Sequence, residues 1–179
     1  MSWTTPPTFV ASDPLAAAEL NILGADLLYL KGIGDGVSFS GTKVKRDSNQ
    51  SIANATGTSI IFTDEVLDLG GWWSSGATIT VPAGAVPAGF TTIALQAIAS
   101  VRFAANGTGT RQIRILQNGA VVDDMSFSAL SGETTMLSIV TFFAAAAGDT
   151  VELQVQQNSG GALNVQYNRL TVVRFAPVA

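Results

Sequence analysis

The sequence predicts a mainly β protein, a sandwich or barrel preceded by one short helix. Three observations carry this reading. Apolar and polar residues alternate with a period of two through most of the chain from Thr42 onward. Turn-forming pairs such as Asn106-Gly107 and Asn118-Gly119 separate the alternating runs. A helical spacing of apolar residues occurs once, near the N-terminus. A chain of 179 residues suits one compact domain with an appendage. The expected division is a helical anchor over residues 1–32, a glycine-rich linker over 33–41 and a β-sandwich over 42–179.

The first dozen residues, rich in Thr and Pro, read as extended. Asp13 then supplies an N-cap, and Pro14 occupies the first helical position, where a missing N–H costs nothing. Leu20, Leu23, Leu27 and Leu30 fall on one stripe of the helix that follows. Lys31 suits the negative C-terminal end and Gly32 the C-cap. Such a short helix is marginal alone, so the stripe needs a partner surface, and these four leucines are the expected attachment residues. Gly32-Ile33-Gly34-Asp35-Gly36 reads as a hinge; it follows a helix and lacks the Lys-Ser/Thr ending of a phosphate loop.

In the β region, Thr92 to Phe103 is the clearest strand. Ile93, Leu95, Ala97, Ala99, Val101 and Phe103 point one way, and Gln96, Ser100 and Arg102 the other. Arg111 to Leu116 forms a second strand, and Asn118-Gly119 turns it back as a hairpin. Val151, Leu153 and Val155 alternate with Glu152, Gln154 and Gln156. Asn158 to Gly161 turns that run into Leu163-Asn164-Val165, and Leu170 to Phe175 closes the domain. One strand, Thr134 to Phe143, breaks the pattern by being apolar on both faces. Met136, Val140 and Phe142 lie on one side; Leu137, Ile139 and Phe143 lie on the other. A sandwich strand ordinarily has one solvated face. The second face therefore calls for cover, by a neighbouring subunit in preference to the chain's own loops, and the subunit-facing set is read as Leu137, Ile139 and Phe143.

Composition narrows the function. Charged residues make up 12% of the chain, about half the usual globular share, while hydrophobic residues make up 47%. A surface that poor in charge favours assembly over a lone monomer. A net charge of −4 argues against nucleic acid as a partner. The cluster Lys43, Lys45 and Arg46 reads as a solvated strand edge. With no histidine and no cysteine, the commonest general base, nucleophile pairs and metal ligands are absent. Met1 to Pro7 lacks the charged and apolar regions of a signal peptide, and Thr134 to Gly148 is too short to span a bilayer. The chain thus reads as soluble, with no membrane partner.

Two acidic groups, Asp64-Glu65 with Asp68 and Asp123-Asp124, are the candidates for metal or acid–base chemistry. Neither has calcium-loop spacing, and both are expected beside turns, so turn chemistry is the preferred reading. Nothing local marks a serine for Ser-Lys catalysis, and the Asn49, Asn54 and Asn106 glycosylation patterns mark only loops. Trp72-Trp73 places one ring on each side of a strand; core filling or a subunit contact is preferred over sugar stacking. No catalytic residue, cofactor or metal is assigned.

From Asn49 to Phe175 the chain resembles the jelly roll of the complement globular heads and tumour necrosis factor. The resemblance rests on several pieces in order: Gln50 to Ala53, Ser59 to Asp68 with Gly70-Gly71-Trp72, Ile79 to Gly84, Ile115 to Gly119, and Ala147 to Leu153. It implies a jelly-roll β-sandwich that assembles as a homotrimer. Trp3 to Pro6, Ala16 to Asn21 and Leu27 to Gly32 resemble a leader on structural proteins of tailed bacteriophages. Ile22-Leu23-Gly24 departs from that leader, where a charged residue usually follows the asparagine. The leader implies a place on the virion surface, head or tail, with Leu20, Leu23, Leu27 and Leu30 docking on a capsid or tail protein. A decoration-type structural protein is the leading expectation. The alternative is a tail-associated adhesin that recognises a host-surface glycan or protein.

The metal reading is testable directly. EDTA should leave the melting temperature unchanged, whereas a fall of several degrees would show that Asp64, Asp68, Asp123 or Asp124 holds an ion.

Overall fold

The computed structural model describes residues 40–178, which belong to a compact unit spanning Phe39–Ala179. The helix expected at the N-terminus and its four leucines lie outside the described residues. Eleven strands follow in order: β1 (Gly41–Arg46), β2 (Gln50–Ile52), β3 (Thr58–Ser59), β4 (Asp64–Leu69) and β5 (Thr78–Thr80) precede the long β6 (Thr92–Phe103). Then come β7 (Thr110–Gln117), β8 (Ala120–Ser128), β9 (Thr135–Ala145), β10 (Thr150–Gln157) and β11 (Leu163–Val178). They form two antiparallel sheets, consistent with a jelly-roll sandwich. The first runs β4-β1-β11-β6-β9, with β2 added to β11; the second runs β3-β10-β7-β8, with β5 added to β10.

Alternation decides the core. In β6 every second residue from Ile93 to Phe103 is buried, as its sequence pattern predicts. From the second sheet, Ile113, Ile115, Val151, Leu153 and Val155 meet this layer in one apolar cluster. The predicted hairpin at Asn118-Gly119 is present. Both residues have positive φ, 51° and 78°, as a two-residue turn with the twist of the flanking strands requires.

Several expectations are corrected. The last two predicted strands are one, β11, which continues through register shifts at Gln166/Arg169 and Arg174/Ala176. The polar pair Tyr167-Asn168 that interrupts the alternation is a bulge, with Tyr167 at a φ of 54°. Lys43, Lys45 and Arg46 do not form a sheet edge, because β1 lies between β4 and β11. Lys45 pairs with Asp47 at 2.6 Å, and Arg46 donates to the carbonyls of Ser48, Asn49 and Ile61. Of the acidic groups, Asp68 borders the turn after β4 as expected, whereas Asp123 and Asp124 sit within β8.

The register also gives the sandwich two distinct ends. Gly41, where β1 begins, stands opposite Val173, and Val178 stands opposite Thr92. The described chain therefore enters and leaves at the end where β6 starts and β9 finishes. At this entry end Asp149 gathers three donors: Asn118 Nδ2 at 2.9 Å, Gln117 Nε2 at 2.8 Å and the Ala146 amide at 2.8 Å. The far end carries residues 104–109, 129–134 and 158–162. There Arg111, fully buried, donates to the carbonyls of Asn106, Thr108 and Thr110. Gln157, also buried, donates to those of Ile52 and Gly161.

Hydrogen bonds from Asn118, then from the Ala146 amide and Gln117, hold the Asp149 carboxyl below its ordinary range, against the opposing pull of burial. A group depressed in the folded state stabilises above its unfolded pKa, about 4, and loses that contribution as pH falls through the folded value. Replacing Asp149 with Ala should therefore lower the melting temperature at neutral pH. The gap from the native chain should narrow as pH falls below about 4, as thermal scans across pH would show.

Candidate functional site

The two sheets differ on their outer faces. On the second sheet, polar side chains satisfy one another. Arg114 donates to Gln112, Gln154 and Gln156 at 2.6–3.1 Å, Gln112 donates to Asp124, and Ser59 donates to Glu152 at 2.7 Å. This is an ordinary solvated sheet face.

The first sheet has an apolar outer face. Cross-strand partners share a face, so the register reads out its rows. One row runs Val140, Ile98, Thr171, Lys43, Leu67; the next runs Phe142, Gln96, Val173, Gly41, Leu69. Met136, Val140, Phe142 and Phe175 are 63%, 52%, 57% and 72% exposed. Phe175 sits at the second bulge of β11 and meets the Phe142 ring edge-on, with centroids 5.8 Å apart. Toward the far end, Met136 lies opposite Arg102, whose guanidinium carbon stands 4.0 Å from the centre of the Tyr167 ring. Exposed apolar side chains gathered on one face in this way suit contact with another chain.

The predicted subunit-facing residues need correcting. Leu137 and Ile139 are 4% and 5% exposed and belong to the core of their own chain, and Phe143 is half-buried against that core. The exposed set is Met136, Val140 and Phe142. The strand is apolar on both faces, as its sequence shows, but its pairing with β6 chooses the inner one. Leu137 and Ile139 lie opposite Val101 and Ala99, both inward-facing.

Trp72 is buried, with its Nε1 donating to Ser40 Oγ at 2.9 Å. Trp73 is half-buried and donates to the Gly76 carbonyl at 3.2 Å. The backbone amides of both tryptophans donate to the Asp68 carboxylate, at 2.9 and 3.1 Å. That acid thus caps the turn after β4, and neither ring offers an open sugar platform. Among the described residues, no group of three or more acids could hold a metal ion, and no helix is long and apolar enough to cross a membrane.

No family model matches the chain, and no curated protein does. Solved structures do. Murine APRIL aligns with a TM-score of 0.57 at 16% identity, covering 77% of this chain and all of APRIL. The globular domain of zebrafish complement 1qA gives 0.54 at 10% identity, over 76% of this chain and 96% of that one. The PRD1 vertex protein P5 gives 0.50 at 17% identity, over 75% and 96%. At these identities the likeness shows the fold alone, a jelly-roll sandwich.

Neighbouring residues of β9 should therefore behave oppositely. Ile139→Asp puts a charge in the core and should abolish cooperative unfolding, a loss of several kcal/mol. Val140→Asp should retain the native far-UV circular dichroism, since its side chain is half in solvent already.

Proposed function

We propose that the chain is a non-enzymatic structural component of a tailed-bacteriophage virion surface, a homotrimeric jelly-roll head held to the particle through its N-terminal segment. The observation that carries the reading is the apolar outer face of the first sheet, on a chain with only 12% charged residues. A face of that kind is stable when it is covered, and copies of the same chain are the partners always at hand. The leader-like residues of the N-terminus supply the virion side of the reading. The fold's occurrence in a vertex protein is compatible with it.

The attachment residues are Leu20, Leu23, Leu27 and Leu30, docking on a capsid or tail protein. Burying each leucine is worth roughly 1.5–3 kcal/mol, ample for docking after ordering costs. The described chain enters and leaves at one end, so the opposite end is the one presented outward. Its loops, 104–109, 129–134 and 158–162, carry no aromatic residue. Such loops suit decoration better than recognition of a host glycan.

Light scattering after size exclusion should give about three times 18.5 kDa. Deleting residues 1–32 should leave a trimer whose far-UV spectrum keeps its β signature, losing only the helical contribution, and that no longer copurifies with particles. Full occupancy on particles by the truncated chain would transfer attachment to the head itself, and an unfolded head would make the leucine stripe part of its own core.

A further inference from the structure

We propose that Asn106 is a site of self-modification. Its side-chain amide is lost as ammonia through attack by the Gly107 backbone nitrogen, and the new carboxylate becomes the counter-ion of the buried Arg111. The same residue pair at Asn118-Gly119 is kept unreactive by the fold. Neither statement depends on the trimer reading.

The sequence contains two Asn-Gly pairs, 106–107 and 118–119. A glycine after asparagine leaves its own amide nitrogen unshielded by any side chain, so both pairs have a reactive composition and conformation separates them. Reaction needs the asparagine Cγ brought onto the glycine nitrogen. At Asn118 the side chain is tied to a different turn. Its Nδ2 donates to Asp149 at 2.9 Å, and its Oδ1 accepts from the Thr150 amide at 2.8 Å and hydroxyl at 3.3 Å. Turning Cγ towards Gly119 would break all three bonds, in a hairpin whose backbone β7 and β8 already hold.

Asn106 is folded the other way, over its own backbone. Its Oδ1 accepts from the Thr108 amide at 2.9 Å, which bends the side chain across the Gly107 peptide. That amide also faces the oxygen on which negative charge develops during attack, where a backbone N–H stabilises a tetrahedral intermediate. Gly107 and Thr108 are exposed, so water reaches the site. The reaction balances with water alone. The Gly107 nitrogen gives its proton to solvent and bonds to Cγ; the Cγ–Nδ2 bond breaks, and ammonia leaves with a proton taken from solvent. Water then opens the five-membered imide at either carbonyl. Opening at Cγ gives aspartate. Opening at the former backbone carbonyl gives isoaspartate, with the main chain routed through Cγ and the old carbonyl released as a carboxylate. That carbonyl oxygen already accepts from Arg111 at 2.7 Å. Arg111 is fully buried and, among the described residues, its guanidinium meets carbonyls and no acid. Its hydrogen bond polarises the carbonyl that water must attack, and the isoaspartate carboxylate then supplies the missing charge.

The full-length chain, held at mildly alkaline pH both native and in denaturant, tests this by tryptic digestion and mass spectrometry. Trypsin separates the two pairs, because peptides 103–111 and 115–169 carry one each. In the native chain Asn106 should convert at least about tenfold faster than Asn118, whereas in denaturant the two should agree within about threefold. The isoaspartate share at Asn106, read by chromatography of the peptide isomers, should be higher in the native chain than in the denatured one. Native conversion of Asn118 as fast as that of Asn106, or an Asn106 that stays intact in the native chain, would overturn the site. An isoaspartate share that folding does not raise would overturn the role given to Arg111.

Discussion

The pairing of β6 with β11 on one side and β9 on the other decides which side of each strand in the first sheet becomes core. β6 commits six apolar residues, Ile93 through Phe103, to the interior. Because antiparallel partners share a face, that commitment spreads outward strand by strand. It sends Val165, Leu170 and Val172 of β11 and Leu137 and Ile139 of β9 inward. A one-residue slip would exchange both faces of β9 at once. Polarity within β9 resists the slip only weakly, chiefly through Ser138, which lies exposed opposite Ser100 and would be carried into the core.

This explains what was legible in the sequence. β6, β7 and β10 alternate cleanly, and the Asn118-Gly119 hairpin is specified by the residues that accept positive φ, so these elements can be read directly. β9 cannot be assigned a face by its own residues, and reading Leu137 and Ile139 as surface follows from that ambiguity. The deciding fact is a long-range register between β6 and β9. The bulges of β11 were hidden for a related reason: Tyr167-Asn168 looks like a strand break locally, yet neighbouring strands continue the ladder past a bulge in which Tyr167 takes a positive φ. The apolar outer surface is a property of several strands together. Leu67, Ile98, Val140 and Phe142 come from three strands distant in sequence, and only topology sets them side by side.

The molecule is correspondingly two-sided. The second sheet ties its outer side chains into a polar lattice around Arg114, which leaves little for a protein partner to displace. The first sheet leaves carbon exposed and places its cations at the rim and in the middle of that carbon. Binding of another chain there would replace water over apolar surface, the main favourable term in association, while the charges choose the orientation.

The loops at the far end are held in a way that bears on how such a surface can change. Arg111 grips the carbonyls of Asn106, Thr108 and Thr110, and Gln157 grips those of Ile52 and Gly161. Carbonyl groups are common to every amino acid, so these ties are blind to the side chains the loops display. Gly107 and Gly109 are exceptions, because a Cβ would stand 2.9 Å from the Ser131 Cα in one case and 2.4 Å from the Asn158 carbonyl oxygen in the other, and so is Asn158, whose Oδ1 accepts from the Thr110 amide. Elsewhere the outermost residues can change while the loop keeps its shape.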